Sequence, residues 1–210
     1  MIGVLAVQGD FAAHAAMLEC VGATAREVRG TADIEGIDGL IMPGGESTTM
    51  LKFLIDEGLA DAIREFAGSG RPVFGTCAGA ILLAREVVGP AQPSLDLIDI
   101  VIERNAYGRQ VDSFIAEAET TLDGGPMEAI FIRAPVIRRV GQAVDVLARL
   151  DSEAVLVRKS NILVATFHPE LSDDERVHRL FVSMASGDGE RVLSPATVGA
   201  WRTDAITQMG

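Results

Sequence analysis

The sequence predicts an α/β fold built on a mostly parallel sheet, and three observations carry that prediction. Residues 2–7 form a continuous apolar run, the pattern of a strand buried on both faces. Strand-like and helical patterns then alternate in βαβαβα order up to about residue 75. At that point Gly75-Thr76-Cys77-Ala78-Gly79 has the spacing of a nucleophile elbow, a tight strand-to-helix turn whose glycines avoid clashes that any Cβ would bring.

Taken in order, residues 1–7 predict a central parallel strand ending at Gln8-Gly9. A helical pattern over 10–20 follows, with Phe11, Ala15, Leu18 and Val21 along one face and Gly22 as its stop. Residues 23–28 are a weaker strand. The run 39–42 is a third strand, leading into the turn Pro43-Gly44-Gly45-Glu46-Ser47-Thr48-Thr49; helices are predicted over 50–55 and 59–66. Residues 72–75 form the elbow strand, and the elbow helix runs on to Ala84. Beyond it, short strand-like runs at 98–102, 113–119, 127–132, 144–150, 154–159 and 162–167 predict antiparallel strands added to the parallel sheet. A last helix is predicted over 173–185, with Ser172 as N-cap and Glu175 completing a capping box. Residues 187–210 show weak periodicity and are read as a C-terminal tail of unassigned role.

Composition narrows the function classes. With 48% hydrophobic residues, 210 residues suffice for one domain with a sizeable core, placed at 1–186. No apolar run approaches the roughly 20 residues of a membrane span, and no basic segment leads into a long apolar stretch, so no membrane association or signal peptide is expected and the cytoplasm is the expected location. The two cysteines, Cys20 and Cys77, make no disulfide framework. A net charge of −12 argues against nucleic acid as a partner. Three scattered histidines and two distant cysteines match no metal-site spacing, and Gly9 is followed by Asp10 and Phe11 rather than further glycines, so neither a metal nor a bound cofactor is expected.

Cys77 is placed to act as a nucleophile, since free N–H groups and the positive dipole end at a helix start favour a thiolate. A cysteine after a strand also serves as a small buried hydrophobe; the flanking glycines favour the first reading. Such a nucleophile needs a base that later protonates the leaving group. His14 and His178 fall inside predicted helices, His178 partly solvated. His168 instead follows the apolar run 162–167 at its C-terminal end, the edge of an α/β sheet where ligands bind. Glu170 is positioned to orient its imidazole, giving a Cys–His–Glu relay. The glycine turn at 43–47, with Gly44 and Gly45, joins the N–H of Ala78 as a candidate oxyanion hole. The stretch 103–110 reads equally as a solvated hairpin or as a site where Arg104 holds a carboxylate, and Arg133 stands at another strand end.

These residues resemble a known family. Gly75-Thr76-Cys77-Ala78-Gly79 with Phe167-His168-Pro169-Glu170 is similar to the class I, triad-type glutamine amidotransferases. Residues 3–9, 43–49, 103–110 and 131–135 narrow the resemblance to the glutaminase subunits of pyridoxal 5′-phosphate synthase, over residues 1 to about 186. The resemblance implies a flavodoxin-like three-layer fold, with a mixed, mostly parallel sheet, helices on both faces and a nucleophile elbow. It implies hydrolysis of L-glutamine to glutamate and ammonia through a Cys77 thioester, the ammonia passing to a separate (β/α)8 synthase subunit that makes pyridoxal 5′-phosphate (vitamin B6). By the same resemblance Cys77, His168 and Glu170 are catalytic; Gly45, Glu46, Ser47, Arg104, Ile132 and Arg133 bind glutamine; and Gln8 lies near the subunit interface and the oxyanion region. Another Cys-nucleophile hydrolase of this fold, or a catalytically silent regulatory subunit, are the alternatives.

Overall fold

A computed structural model describes residues 1–104 and 113–187. Of the 103–110 stretch, Glu103 and Arg104 are described and Asn105 to Gln110 lie outside the described residues, as does all of the expected tail beyond Gly187.

The predicted strands and helices of the first half are present as β1 (Ile2–Leu5), α1 (Phe11–Cys20), β2 (Ala25–Val28), β3 (Gly39–Met42), α2 (Ser47–Asp56), α3 (Leu59–Gly68), β4 (Val73–Thr76) and α4 (Ala78–Leu83), although strict alternation fails because only a 3-10 turn at Thr31–Ile34 separates β2 from β3 and α2 leads directly into α3. The second half supplies β5 (Ala84–Val88), β6 (Ile98–Glu103), β7 (Ser113–Thr120), β8 (Met127–Ile132), β9 (Val136–Val140), β10 (Asp145–Leu150), β11 (Glu153–Lys159), β12 (Ile162–Ala165) and α5 (Arg176–Ala185). Among the described residues nine strands form one sheet in the order β2-β1-β3-β4-β12-β11-β10-β7-β8. The pairs from β2 through β12 are parallel, and those from β12 to β8 antiparallel. Four of the six runs expected as added antiparallel strands, now β7, β8, β10 and β11, extend the parallel sheet in that way; the run at 162–167 is β12, parallel to β4, and the run at 98–102 is β6, which lies outside this sheet.

Alternation of side chains along each parallel strand feeds two separate cores. Leu40 and Met42 of β3, Val73 of β4 and Val164 of β12 join α2, α3 and α4 in one cluster. Ile41, Phe74, Leu163 and Ala165 point the other way and pack with Leu18 of α1 and with Val177, Leu180 and Phe181 of α5. Because both faces are covered, these strands read as unbroken apolar runs, and the result is three layers.

Four features differ from the sequence reading. The elbow helix stops at Leu83, and Ala84–Val88 turns into β5, which pairs with β6, itself paired with β9, as a separate three-stranded sheet. Ala, Arg and Glu at 84–86 favour helix locally, and the sheet pairing overrides them. Strand β9 escapes pattern reading because Arg138 and Arg139 interrupt its alternation. Helix α5 begins only at Arg176 and has no side-chain cap: Ser172 Oγ donates to Pro169 O and accepts from Asp174 N–H in a local turn, while Asp174 engages the Arg176 N–H and guanidinium. The buried face of α1 is His14, Met17 and Leu18, with Phe11, Ala15 and Val21 only half-buried. No helix among the described residues is long and apolar enough to cross a membrane.

Candidate active site

The elbow is made by close backbone approach. A Cβ on Gly79 would stand 2.0 Å from Met42 O of β3, and one on Gly75 would stand 2.6 Å from Gly79 C, so glycine at both places lets α4 pack directly on the sheet. Between them Cys77 adopts φ 48°, ψ −101°, a costly conformation for a residue with a side chain and one typical of a strained nucleophile turn. Its N–H is held by Ala165 O of β12 at 3.0 Å. The side chain is almost fully buried, with Sγ 3.8 Å from Ile132 O.

His168 leaves the adjacent strand. β12 pairs with β4 in parallel with Ala165 opposite Thr76, so Cys77 and His168 emerge side by side at the C-terminal edge of the sheet. His168 N–H donates to Ile130 O at 2.8 Å, fixing the exit of the chain. Pro169 opens a 3-10 turn that carries Glu170 under the ring, and His168 Nδ1 meets Glu170 Oε1 at 2.7 Å. Nε2 is buried and makes no hydrogen bond among the described residues. Burial opposes the imidazolium, but attraction from Cys77 and Glu170 outweighs it and raises the His168 pKa to about 10. A protonated ring beside the thiol is the charge arrangement of a thiolate–imidazolium pair.

A cavity of about 300 Å³ opens over these groups. Its walls include Cys77 and His168 and every residue expected to bind glutamine: Gly45, Glu46, Ser47, Arg104, Ile132 and Arg133. Glu46 caps α2 by accepting from Thr49 N–H at 2.8 Å, so the helix starts earlier than its apolar pattern suggests. Hydrogen bonds from Thr48 lead the effects, against partial burial, that hold its carboxyl down at about 2. Arg104 Nη2 lies 3.4 Å from Glu46 Oε1. Ser47 is buried and donates to Gln92 Oε1 at 3.0 Å. Arg133 sits at φ 45°, which turns the chain sharply at the end of β8.

Gln8 also lines the cavity, and its Oε1 accepts from Glu46 N–H at 3.3 Å. The loop after β1 presses on the loop after β3: a Cβ on Gly9 would lie 1.7 Å from Gly44 O. Of the expected oxyanion donors, Gly45 lines the cavity. Gly44 lies against the His168 ring, its Cα direction ending 2.5 Å from Cε1 if a Cβ is added, and Ala78 is buried in the first turn of α4. Asp10, Ile81 and Pro135 line the cavity as well, and the sequence assigns none of them a catalytic or glutamine-binding role.

The histidines are not scattered. His14 and His178, expected in helices with His178 partly solvated, are both fully buried and meet each other, Nδ1 to Nε2, at 2.9 Å. His14 Nε2 lies 3.3 Å from Glu170 Oε2. The available signal was His14 standing among four alanines on a short helix, a lone polar side chain in an apolar run. Asp10, His168 and Glu170 offer ligand atoms within 4.8 Å of one another, although His168 Nδ1 and Glu170 Oε1 are already engaged together.

Comparison with known proteins gives the family and the fold. Over 88% of this chain and 98% of the other, the fold is similar to a solved structure described as a glutamine amidotransferase, with TM-score 0.83 and 48% identity. The structure of PurLQS from Thermotoga maritima, at 14% identity and TM-score 0.60 over 90% of this chain and 97% of that one, shares the fold. The chain is 55% identical over 188 residues to the pyridoxal 5′-phosphate synthase subunit PdxT of Solibacter usitatus, covering 87% of this chain and 97% of the relative. To the PdxT of Deinococcus radiodurans it is 51% identical over 195 residues, covering 90% and 98%. The model of the SNO glutamine amidotransferase family matches residues 4–186, a span that runs from β1 through the elbow and the His168 turn to the end of α5, and the chain belongs to that family.

Proposed function

We propose that this chain is the glutaminase subunit of a pyridoxal 5′-phosphate synthase, a cytoplasmic enzyme that supplies ammonia to a (β/α)8 synthase partner. The observation that supports it most is the convergence of Cys77, His168 and the six expected glutamine-binding residues on one cavity. Residues 1–186 form the glutaminase domain.

The Cys77 thiolate attacks the side-chain carbonyl carbon of glutamine. N–H groups of Gly44, Gly45 and Ala78 serve the developing oxyanion; a single such donor is worth roughly 3 kcal/mol. Collapse of the tetrahedral species breaks the C–N bond as His168 gives its Nε2 proton to the departing amine, yielding ammonia and a γ-glutamyl thioester. Water then loses a proton to His168, attacks the thioester and releases glutamate and the Cys77 thiolate. Glu170 keeps Nδ1 of His168 protonated and oriented throughout. Glu46, Ser47, Arg104, Ile132 and Arg133 grip the amino-acid end of glutamine, with Arg104 and Arg133 suited to its carboxylate.

Ammonia set free in water at neutral pH is protonated and useless as a nucleophile, so hydrolysis should be coupled to the partner. The Gln8-Gly9-Asp10 loop touches the Pro43-Gly44-Gly45 turn directly and offers a route by which docking could set the oxyanion donors. The test is ammonia release from glutamine with and without the synthase subunit, together with Cys77→Ser. A partner-dependent rise in kcat of tenfold or more, abolished by Cys77→Ser, supports the reading. Equal rates with and without partner overturn the coupling, and wild-type release from Cys77→Ser overturns the thioester. A glutamine-derived electrophile should label Cys77 and spare Cys20, although Cys20 is the exposed thiol.

A further inference from the structure

Behind the cavity runs a polar chain that the proposed mechanism leaves without a task. Glu170 is an acceptor-only group whose side chain is fully buried. Its Oε1 receives His168 Nδ1–H, whereas Oε2 has no hydrogen bond of normal geometry among the described residues and faces His14 Nε2 at 3.3 Å. A buried carboxylate oxygen without a donor is costly, and His14 Nε2 is the nitrogen that the fold brings to it. That nitrogen also lies 3.2 Å from Oγ1 of Thr76, the residue before the nucleophile.

The tautomers follow. If His14 carries its proton on Nε2, facing Glu170 and Thr76, then Nδ1 is an acceptor, and the 2.9 Å contact requires His178 to donate from Nε2. His178 Nδ1 is then a bare lone pair, and it is the His178 nitrogen that lacks a partner among the described residues. One direction of donation runs from α5 through α1 to the carboxylate. The rings are packed edge-on against Phe74 of β4, centroids 6.2 and 6.0 Å away, which holds both planes.

We propose that His14 is a positioning residue for the glutaminase reaction: in the tautomer in which His178 Nε2–H donates to His14 Nδ1, the His14 Nε2–H faces Glu170 Oε2 at 3.3 Å and attracts it as a dipole, so that Oε1 stays aimed at His168 Nδ1. This rests on the reading of Cys77, His168 and Glu170 as the catalytic set. The donor must be neutral, because a charged His14 would cancel the carboxylate charge that His168 needs. The groups facing His14 are His178 from α5, His168 and Glu170 from the turn after β12, and the hydroxyl of Thr76 from β4. Burial first, then the neighbouring His178 and His168, keep its pKa well below the ordinary value, so it stays neutral at working pH.

The test compares His14→Gln, which keeps an N–H on the Nε2 side, with His14→Asn, whose N–H can mimic only Nδ1, and with His14→Leu. Kinetics are measured on the complex with the synthase. In parallel, iodoacetamide labelling of Cys77 is followed against pH on the full chain by peptide mass spectrometry, with exposed Cys20 as internal reference. A freed Glu170 rotates, which draws its charge away from His168 Nδ1. His14→Leu and His14→Asn should therefore lose about tenfold to a hundredfold in kcat, the range expected for slight misplacement of a catalytic group, with KM for glutamine little changed. Their Cys77 labelling profile should move to higher pH while that of Cys20 stays put, and His14→Gln should recover most of both losses. If His14→Leu does not fold, the Gln and Asn pair decides. Equal behaviour of Gln and Asn, or variants of lowered thermal stability but wild-type kcat and labelling profile, overturns the proposal. Full activity in Cys77→Ala would instead sink the underlying site assignment, so the two failures are distinguishable.

Discussion

Adding one methyl group at Gly44 should silence the enzyme without disturbing its fold. A Cβ there lies 2.5 Å from Cε1 of His168 and 3.3 and 3.4 Å from Nδ1 and Nε2. Carbon atoms rest at about 3.5–4.0 Å, so the ring must retreat by roughly 1 Å. The Nδ1 to Glu170 Oε1 distance is 2.7 Å, and such a retreat stretches it beyond the roughly 3.2 Å limit of a good hydrogen bond or tilts Nε2 away from Cys77. A misplacement of about 1 Å costs on the order of a hundredfold in rate, or about 2.7 kcal/mol of barrier. Gly44 is absent from the glycines with left-handed φ, so alanine suits its backbone, and its N–H is kept. The assay is steady-state glutamate formation at saturating glutamine with the synthase present, beside a thermal melt. Gly44→Ala should melt close to wild type and lose about two orders of magnitude in kcat. Gly79→Ala sets its new Cβ 2.0 Å from the backbone oxygen of Met42 and should fail to fold instead. A folded Gly44→Ala with near wild-type kcat would show that the placement of His168 does not matter to this degree, and the reasoning would be refuted.

Other outcomes follow from the same geometry. His168→Asn should cost more activity than Glu170→Gln, since the first removes the proton carrier and the second only its orienting charge; equal activity of His168→Asn and wild type would remove His168 from the mechanism. Stability should fall in mild acid. His178 titrates near 6.5 when unfolded but is depressed by burial to about 4 when folded, and His14 is depressed too. Folding thus excludes protons: the contribution is full above about pH 6.5 and is lost as pH falls through 4, roughly 3 kcal/mol for His178 alone. Urea midpoints at pH 7 and pH 5 measure it, and His178→Phe should flatten the difference; an unchanged slope in that variant would count against the assignment. His168 has the opposite sign, its contribution being lost as pH rises from about 6.5 through 10. Glu46→Gln weakens the cap of α2 and the contact with Arg104, so it should raise KM for glutamine more than it lowers kcat; a pure kcat loss would place Glu46 elsewhere in the reaction.

The central parallel strands and the elbow were legible because burial on both faces leaves unbroken apolar runs and because the Gly75 and Gly79 spacing answers one steric requirement. Strands β5 and β9 were not, since Ala84-Arg85-Glu86 prefers helix and Arg138-Arg139 breaks the alternation; only pairing with β6 makes them strands. The Ser172 and Glu175 pattern misled, because a local turn consumed the serine and Asp174 took the first N–H of α5. Cys77, His168 and Glu170 were readable as strand-end residues. The His14 and His178 pair was not, because its meaning depends on two helices at opposite ends of the chain meeting over the same face of the sheet.

The place of β12 bears on how the protein comes into being. It lies between β4 and β11, so the last strand among the described residues fills the middle of the main sheet, and β4 waits with an open edge while the segments between them are synthesised. Such distant pairings close late, because the entropy of the intervening loop must be overcome before any contact rewards it. The thiol of Cys77 therefore gains its imidazole only when His168 arrives with that strand, and the two histidine-bearing helices can join only after α5 has emerged. A chain on the ribosome, or one cut short before β12, carries the proposed nucleophile and most of the cavity wall yet lacks the proposed base. Catalytic competence is in this way a late folding event, and glutamine is safe from every unfinished copy.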